Sequence, residues 1–266
     1  MQFSGKIPHF SSEHTYYIDA ILNGRAVDPL LLEQYMKRLH WKLEDHYQLL
    51  CIRFPDGRKF NQDEREPVLF RLGLLFQNSL GTYMNNTVIL VLRNPTKELI
   101  SSHSSQLTSY FAGQGMSAGY STIVHGLYNI RYAYTQAVLA LQDREKSGVY
   151  YFLDDYKNVI IESLYSLGDI RSFCHPDILN LYTQDRENGI LMIQTIYTFM
   201  NCGGSIAAAS KELNIHRNTL IYRLEKLENT YGIHLKDLDP DLRFYLIITC
   251  QIIFYMDRKE QLKGNQ

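Results

Sequence analysis

The chain changes its pattern near Asp155, and that change limits its fold more than any other feature. Before it, strand-like runs alternate with helical ones. After it, no run reads as a strand. Two parts follow: a mixed α/β layer domain over 1–155 and an all-helical domain over 156–266. The length agrees, since 266 residues at about 150 per domain give two.

In the first part, Tyr16–Leu22 and Pro29–His40 have helical spacing, broken by Asn23-Gly24 and by Asp28-Pro29. Asp28 suits a helix N-cap, with proline next at the first helical position. Tyr47–Phe54 is strand-like and ends at the turn Pro55-Asp56-Gly57. Glu64–Leu80 is expected to be a longer helix and Thr87–Leu92 a buried strand. Pro95–Ala112 returns to helix, Gly115–Ser121 to a short strand of small residues, and Ile130–Lys146 to helix. Gly148–Leu153 is expected to be the last strand. Asp155 then caps a helix over Asp155–Leu167, and Pro176–Asp185 gives another.

Composition excludes several classes. Hydrophobic residues are 45% and charged residues 21%, as in an ordinary folded domain. Lys+Arg number 27 against 28 Asp+Glu, so no chain-wide basic coat exists. From residue 200 onward the count is nine against eight, so any nucleic-acid contact is local. Cys51, Cys174, Cys202 and Cys250 form no C-x-x-C pair and signal neither a metal site nor a redox motif. The opening MQFSGKIPHF lacks the apolar core of a secretory signal. Leu242–Met256 is shorter than the roughly 20 residues that cross a bilayer, and Arg243 and Gln251 interrupt it. It reads as a buried helix of a cytoplasmic protein with no membrane partner. No P-loop, dinucleotide fingerprint, H-E-x-x-H or G-x-S-x-G occurs. Asp154 and Asp155 are neighbours expected on opposite faces, which does not suit a metal. No catalytic residue, metal or cofactor is expected.

The informative stretch runs from about 190 to 256. A helix over Ile190–Asn201 stops at Cys202-Gly203-Gly204. Ser205 is a strong N-cap for the next, short helix, IAAASKELN, which carries Ile206, Ala209 and Leu213 on one face. Asn214-Ile215-His216 is a tight turn, and Asn tolerates the left-handed conformation such turns need. The third helix, RNTLIYRLEKLENTYG, buries Leu220, Leu224 and Leu227 and ends at Gly232. Two short helices, a tight turn and small contact residues are the helix-turn-helix arrangement. With Leu220 inward, about 100° per residue places Asn218, Tyr222 and Asn229 outward. Thr219 and Lys226 lie on one flank, and Arg217 and Arg223 on the borders with the core. These groups suit base edges and phosphates in a major groove. His216, with no acid or nucleophile near it in sequence, closes the turn or donates to a phosphate. The residues offered to double-stranded DNA are thus Ser205, His216, Arg217, Asn218, Thr219, Tyr222, Arg223 and Lys226. The plain alternative is an αα-hairpin inside a helical bundle.

The run Leu213–Leu224, LNIHRNTLIYRL, resembles the signature of the C-terminal DNA-binding domain of PucR/CdaR-type bacterial transcription regulators. That pattern has a small residue, two variable residues, Leu, any residue, and Ile or Val. His-Arg-Asn-Thr-Leu, one residue and Tyr-Arg-Leu follow. Ser210 stands where members usually carry Ala, and is small enough for a close helix approach. Tyr231-Gly232-Ile233-His234-Leu235 and the apolar closing helix also fit. Upstream, the element order is similar to the GGDEF-like domain that such regulators often carry. The Gly-Gly-Asp-Glu-Phe signature of a diguanylate cyclase is missing, which implies a non-catalytic domain. The sensory N-terminal domain of many members is also not in this chain, which is then a fragment or a shorter form.

The resemblance implies an α+β protein: a GGDEF-like regulatory or dimerisation domain followed by the helix-turn-helix domain. It implies control of metabolic genes. A homodimer is expected because a single helix-turn-helix buries only a small patch, and a small-molecule effector of unknown identity is expected. The competing reading is a non-catalytic small-molecule or nucleotide-binding α/β protein whose C-terminal helices only dock.

Overall fold

A computed structural model describes residues 12–142, 144–184, 186–235 and 238–264. The chain divides into two compact units, residues 1–156 and 157–266.

The first unit runs α1 (Ser12–Leu22), α2 (Pro29–Arg38), β1 (His46–Arg53), α3 (Gln62–Leu75), β2 (Ser79–Met84), β3 (Thr87–Arg93) and α4 (Lys97–Gly113). It continues with β4 (Ser117–Tyr120), β5 (Val124–His125), α5 (Ile130–Leu139), β6 (Gly148–Tyr151) and the start of α6 (Phe152–Tyr165). The sheet order is β2-β3-β1-β4-β6, and β5 pairs β1. All pairings are antiparallel except β4 with β6, where Ser117 faces Gly148.

β1 is central, and its side chains alternate between two cores. Tyr47, Leu49 and Cys51 face α1, α2 and α5, while Leu50 and Ile52 face α3 and α4. Helices therefore cover both sides of the sheet, and the near-continuous apolar run of β1 follows from that double burial. Asp28 caps α2 as expected, its side chain accepting from the N–H groups of Leu30 and Leu31. Gly119 on β4 lets α5 pack closely against the sheet. A Cβ there would stand 2.2 Å from the Ala137 carbonyl oxygen and 2.8 Å from Leu141 Cγ.

Three boundaries differ from expectation. The helix expected over Glu64–Leu80 ends at Leu75, and the chain turns into β2. Pairing of Ser79–Met84 with β3 overrides local helical spacing. The helix expected over Ile130–Lys146 ends at Leu139, and Arg144 then donates to the Ala140 carbonyl and to Asp155. β6 stops at Tyr151, so Asp154 and Asp155 lie in the first turn of α6, not on a strand. Asp155 is consequently no N-cap. The positive end of the helix dipole favours both carboxylates there. The short β5 gave no readable signal, being two residues long.

The second unit is helical. After α6 come a 3-10 turn at Ile170–Phe173, α7 (Pro176–Gln184), α8 (Arg186–Asn201), α9 (Ile206–Glu212), α10 (Arg217–Tyr231) and α11 (Pro240–Gly264). One core joins Ile193, Ile196, Ala209, Leu220, Leu227 and Leu246. The apolar segment Leu242–Met256 lies within α11, with Leu246, Cys250, Ile252 and Ile253 buried. Among the described residues no helix is long and apolar enough to cross a membrane.

Candidate nucleic-acid interface

Local chemistry sets each turn of the α8–α9–α10 segment. α8 ends in Cys202-Gly203-Gly204, where both glycines have positive φ, 68° and 80°. Ser205 then caps α9, its Oγ accepting from Ala208 N at 3.3 Å. Between α9 and α10, Asn214 adopts φ 53°, and Ile215 N donates back to Ser210 O at 3.0 Å. His216 caps α10 through Nδ1, which accepts from Asn218 N at 3.2 Å. An accepting Nδ1 leaves the ring hydrogen on Nε2. Gly232, at φ 67°, closes α10 in the left-handed conformation.

Packing then orients the helix pair. Leu220 and Leu227 are fully buried, and Leu224 is half-buried against the same core. Ala209 is fully buried on α9 and Ser210 nearly so, which lets the two helices approach closely. Arg243 of α11 donates to the Met200 carbonyl and ties down the end of α8. Leu191 O accepts from Thr195 Oγ1, and Thr195 Oγ1 in turn accepts from Arg223.

The expected site residues divide by exposure. Ser205, His216, Arg217, Asn218 and Thr219 are exposed, and Tyr222 is 62% exposed. All but Ser205 and Tyr222 are consecutive at the start of α10. Arg223 and Lys226 are half-buried, and one Arg223 nitrogen reaches inward to Thr195 at 3.2 Å. The exposed members of the set on α10 are therefore His216–Thr219 and Tyr222, and the first backbone N–H groups of α10 lie among them.

Two further exposed charged residues of the helix pair were not singled out from the sequence. Glu225 is exposed, and the 3.6-residue period puts it on the face of Asn218 and Tyr222. It adds a carboxylate, an acceptor suited to a cytosine amine and unsuited to phosphate. Lys211 is exposed on α9. Its position opposite buried Ala209 was the signal that would have found it. Among the described residues no group of three or more His, Cys, Asp or Glu is arranged to hold a metal ion.

Comparison with known proteins places this geometry. Residues 192–252 match the PucR C-terminal helix-turn-helix domain, and residues 23–142 match the GGDEF-like domain. The chain is 28% identical over 182 residues to the purine catabolism regulatory protein of Bacillus subtilis, covering 64% of this chain and 34% of that protein. It is 25% identical over 191 residues to the DNA-binding transcriptional activator AdeR of Bacillus subtilis, covering 64% and 43%. Against the carbohydrate diacid regulator of Escherichia coli it is 30% identical over 142 residues, covering 53% and 34%. The aligned regions thus span less than half the length of these relatives.

Proposed function

We propose that this chain, a GGDEF-like domain followed by a PucR-type C-terminal helix-turn-helix domain, is a sequence-specific DNA-binding transcriptional regulator of metabolic genes. The observation that carries the reading is the polar face at the start of α10, exposed at His216, Arg217, Asn218, Thr219 and Tyr222, on a helix capped at both ends. Asn218 and Tyr222 enter the major groove and meet base edges. Arg217, Arg223, Lys226 and the Nε2–H of His216 meet phosphates, and Thr219 and the α9 start at Ser205 support the register.

The protein works in the cytoplasm as a homodimer, because one module of this size gives modest affinity and two half-sites give specificity. The GGDEF-like unit is a non-catalytic regulatory and dimerisation domain. It lacks the glycine-rich acidic signature of a cyclase. The relatives named for purine catabolism and carbohydrate diacids support a small-molecule metabolite as effector.

The experiment is selection from a random duplex library, then fluorescence anisotropy on the selected and a scrambled duplex across salt. The expected result is affinity for the selected duplex about 1,000-fold or more above the scrambled one, with binding to both falling as salt rises. Equal affinity for both duplexes, or no salt-dependent binding, contradicts the reading and favours a helical unit that only docks.

A further inference from the structure

We propose that the exposed face of α3 is where two copies of this chain pair, helix beside helix and in parallel. α3 buries Val68, Leu69 and Leu72 in its own unit and leaves Phe70 47% and Leu74 59% exposed. Pro67 is exposed beside them. At about 100° per residue these three form one outward stripe, spaced three and four residues apart. That spacing is the a, d, a pattern of a helix seam.

Charge selects the occupant. Glu66 and Arg71 lie on opposite borders of the stripe, five residues apart, at the g and e positions of the same pattern. The Glu66 border faces a groove walled by Thr15 and Tyr83, and the Arg71 border a second groove walled by Tyr110 and Gln114. Phe70 stands as a ridge between the two grooves. Arg71 rests over the Tyr110 ring at 4.3 Å. Among the described residues neither Glu66 nor Arg71 makes an ion pair. In a parallel two-fold pair, Glu66 of each copy meets Arg71 of the other, and the apolar stripes meet at the centre. An antiparallel pair would set like charges on the same border. The face is therefore complementary to its own parallel copy. Asp63, exposed at the head of the stripe, meets its counterpart and weakens the pair.

The pairing deepens the homodimer proposed above. It is tested without DNA, so its failure is distinguishable from failure of DNA recognition. The measurement is sedimentation equilibrium of the whole chain, with a melting curve for each variant. The parent is expected to dimerise, and Phe70→Asp to sediment as a monomer that still melts cooperatively, at the temperature of the parent diluted until it is monomeric. Glu66→Arg and Arg71→Glu are each expected to weaken the dimer about tenfold or more, and the double variant to restore it. Asp63→Asn is expected to tighten it. A monomeric parent overturns the proposal, as does an undiminished dimer in Phe70→Asp or a double variant no tighter than the singles. So does unchanged mass with a lowered melting point in Phe70→Asp, which would mean that the same chain covers this face.

Discussion

The two units close their chains over very different distances. In the first, β1 pairs with strands far along the sequence: Tyr47 faces Arg93 and Leu50 faces Tyr120. In the second, the segment that presents the proposed interface closes on near neighbours. Ser205 holds Ala208, Ile215 returns to Ser210, His216 holds Asn218, and Gly232 returns to Glu228. A locally closed segment can be exact in shape without a large core. That suits a surface whose few side chains must arrive at a groove in register.

The largest expected effects break a buried contact in each unit. Leu220→Ala empties the centre of the helix pair and is expected to cost about 2–5 kcal/mol. Hydrogen exchange read amide by amide should show the loss in α9 and α10. Unchanged protection there would mean that Leu220 does not hold the pair. Gly119→Ala puts a methyl against the Ala137 carbonyl, a backbone atom that can yield only if α5 moves. The expected cost is about 1–3 kcal/mol, appearing in β4 and α5. A neutral result would show that the β4–α5 contact is looser than its geometry.

The same contrast explains what could be read from residues alone. The α9–α10 segment was legible down to its caps, because Ser205, Asn214 and Gly232 each act within a few residues of themselves. The strand Thr87–Leu92 was legible as well, since burial on both faces leaves a continuous apolar run. β2 was not. Ser-Leu-Gly-Thr-Tyr-Met becomes a strand only through its pairing with β3, and local spacing extended α3 across it. Asp155 was misjudged for the same reason, because the end of β6 depends on its pairing with β4. Within the site, facing directions followed from the helical period. The inward bond of Arg223 to Thr195 joins residues 28 apart and left no local trace.

Smaller effects sharpen the comparison. Ser205→Ala removes the local cap of α9 and is expected to cost about 0.5–2 kcal/mol, measured by chemical denaturation. A null result would mean that local closure is not what holds α9. The counterpart in the first unit is Asp45, which binds the start of β1 to the end of β3 through Arg93 and Asn94. Burial raises its carboxyl, but the Lys42 N–H, Arg93 and Asn94 outweigh that and hold it below the ordinary value of 3.8. A carboxyl lowered by folding adds stability above that value and loses it as pH falls through its own lower one. Asp45→Asn should therefore flatten the decline below about pH 4 and lower stability at neutral pH. An unchanged acid limb would show that the long-range tie contributes nothing.

The central claim is that α10 reads sequence through the face carrying Asn218 and Tyr222. The direct test is a salt titration of Asn218→Ala and Lys226→Ala on the selected and scrambled duplexes. Asn218→Ala is expected to lose about 1–3 kcal/mol on the selected duplex and to relax preference at one base pair. Lys226→Ala is expected to weaken both duplexes alike and lower the salt slope by about one. If Asn218→Ala binds both duplexes as the parent does, while its melting curve is unchanged, this helix does not read the sequence and the account is contradicted.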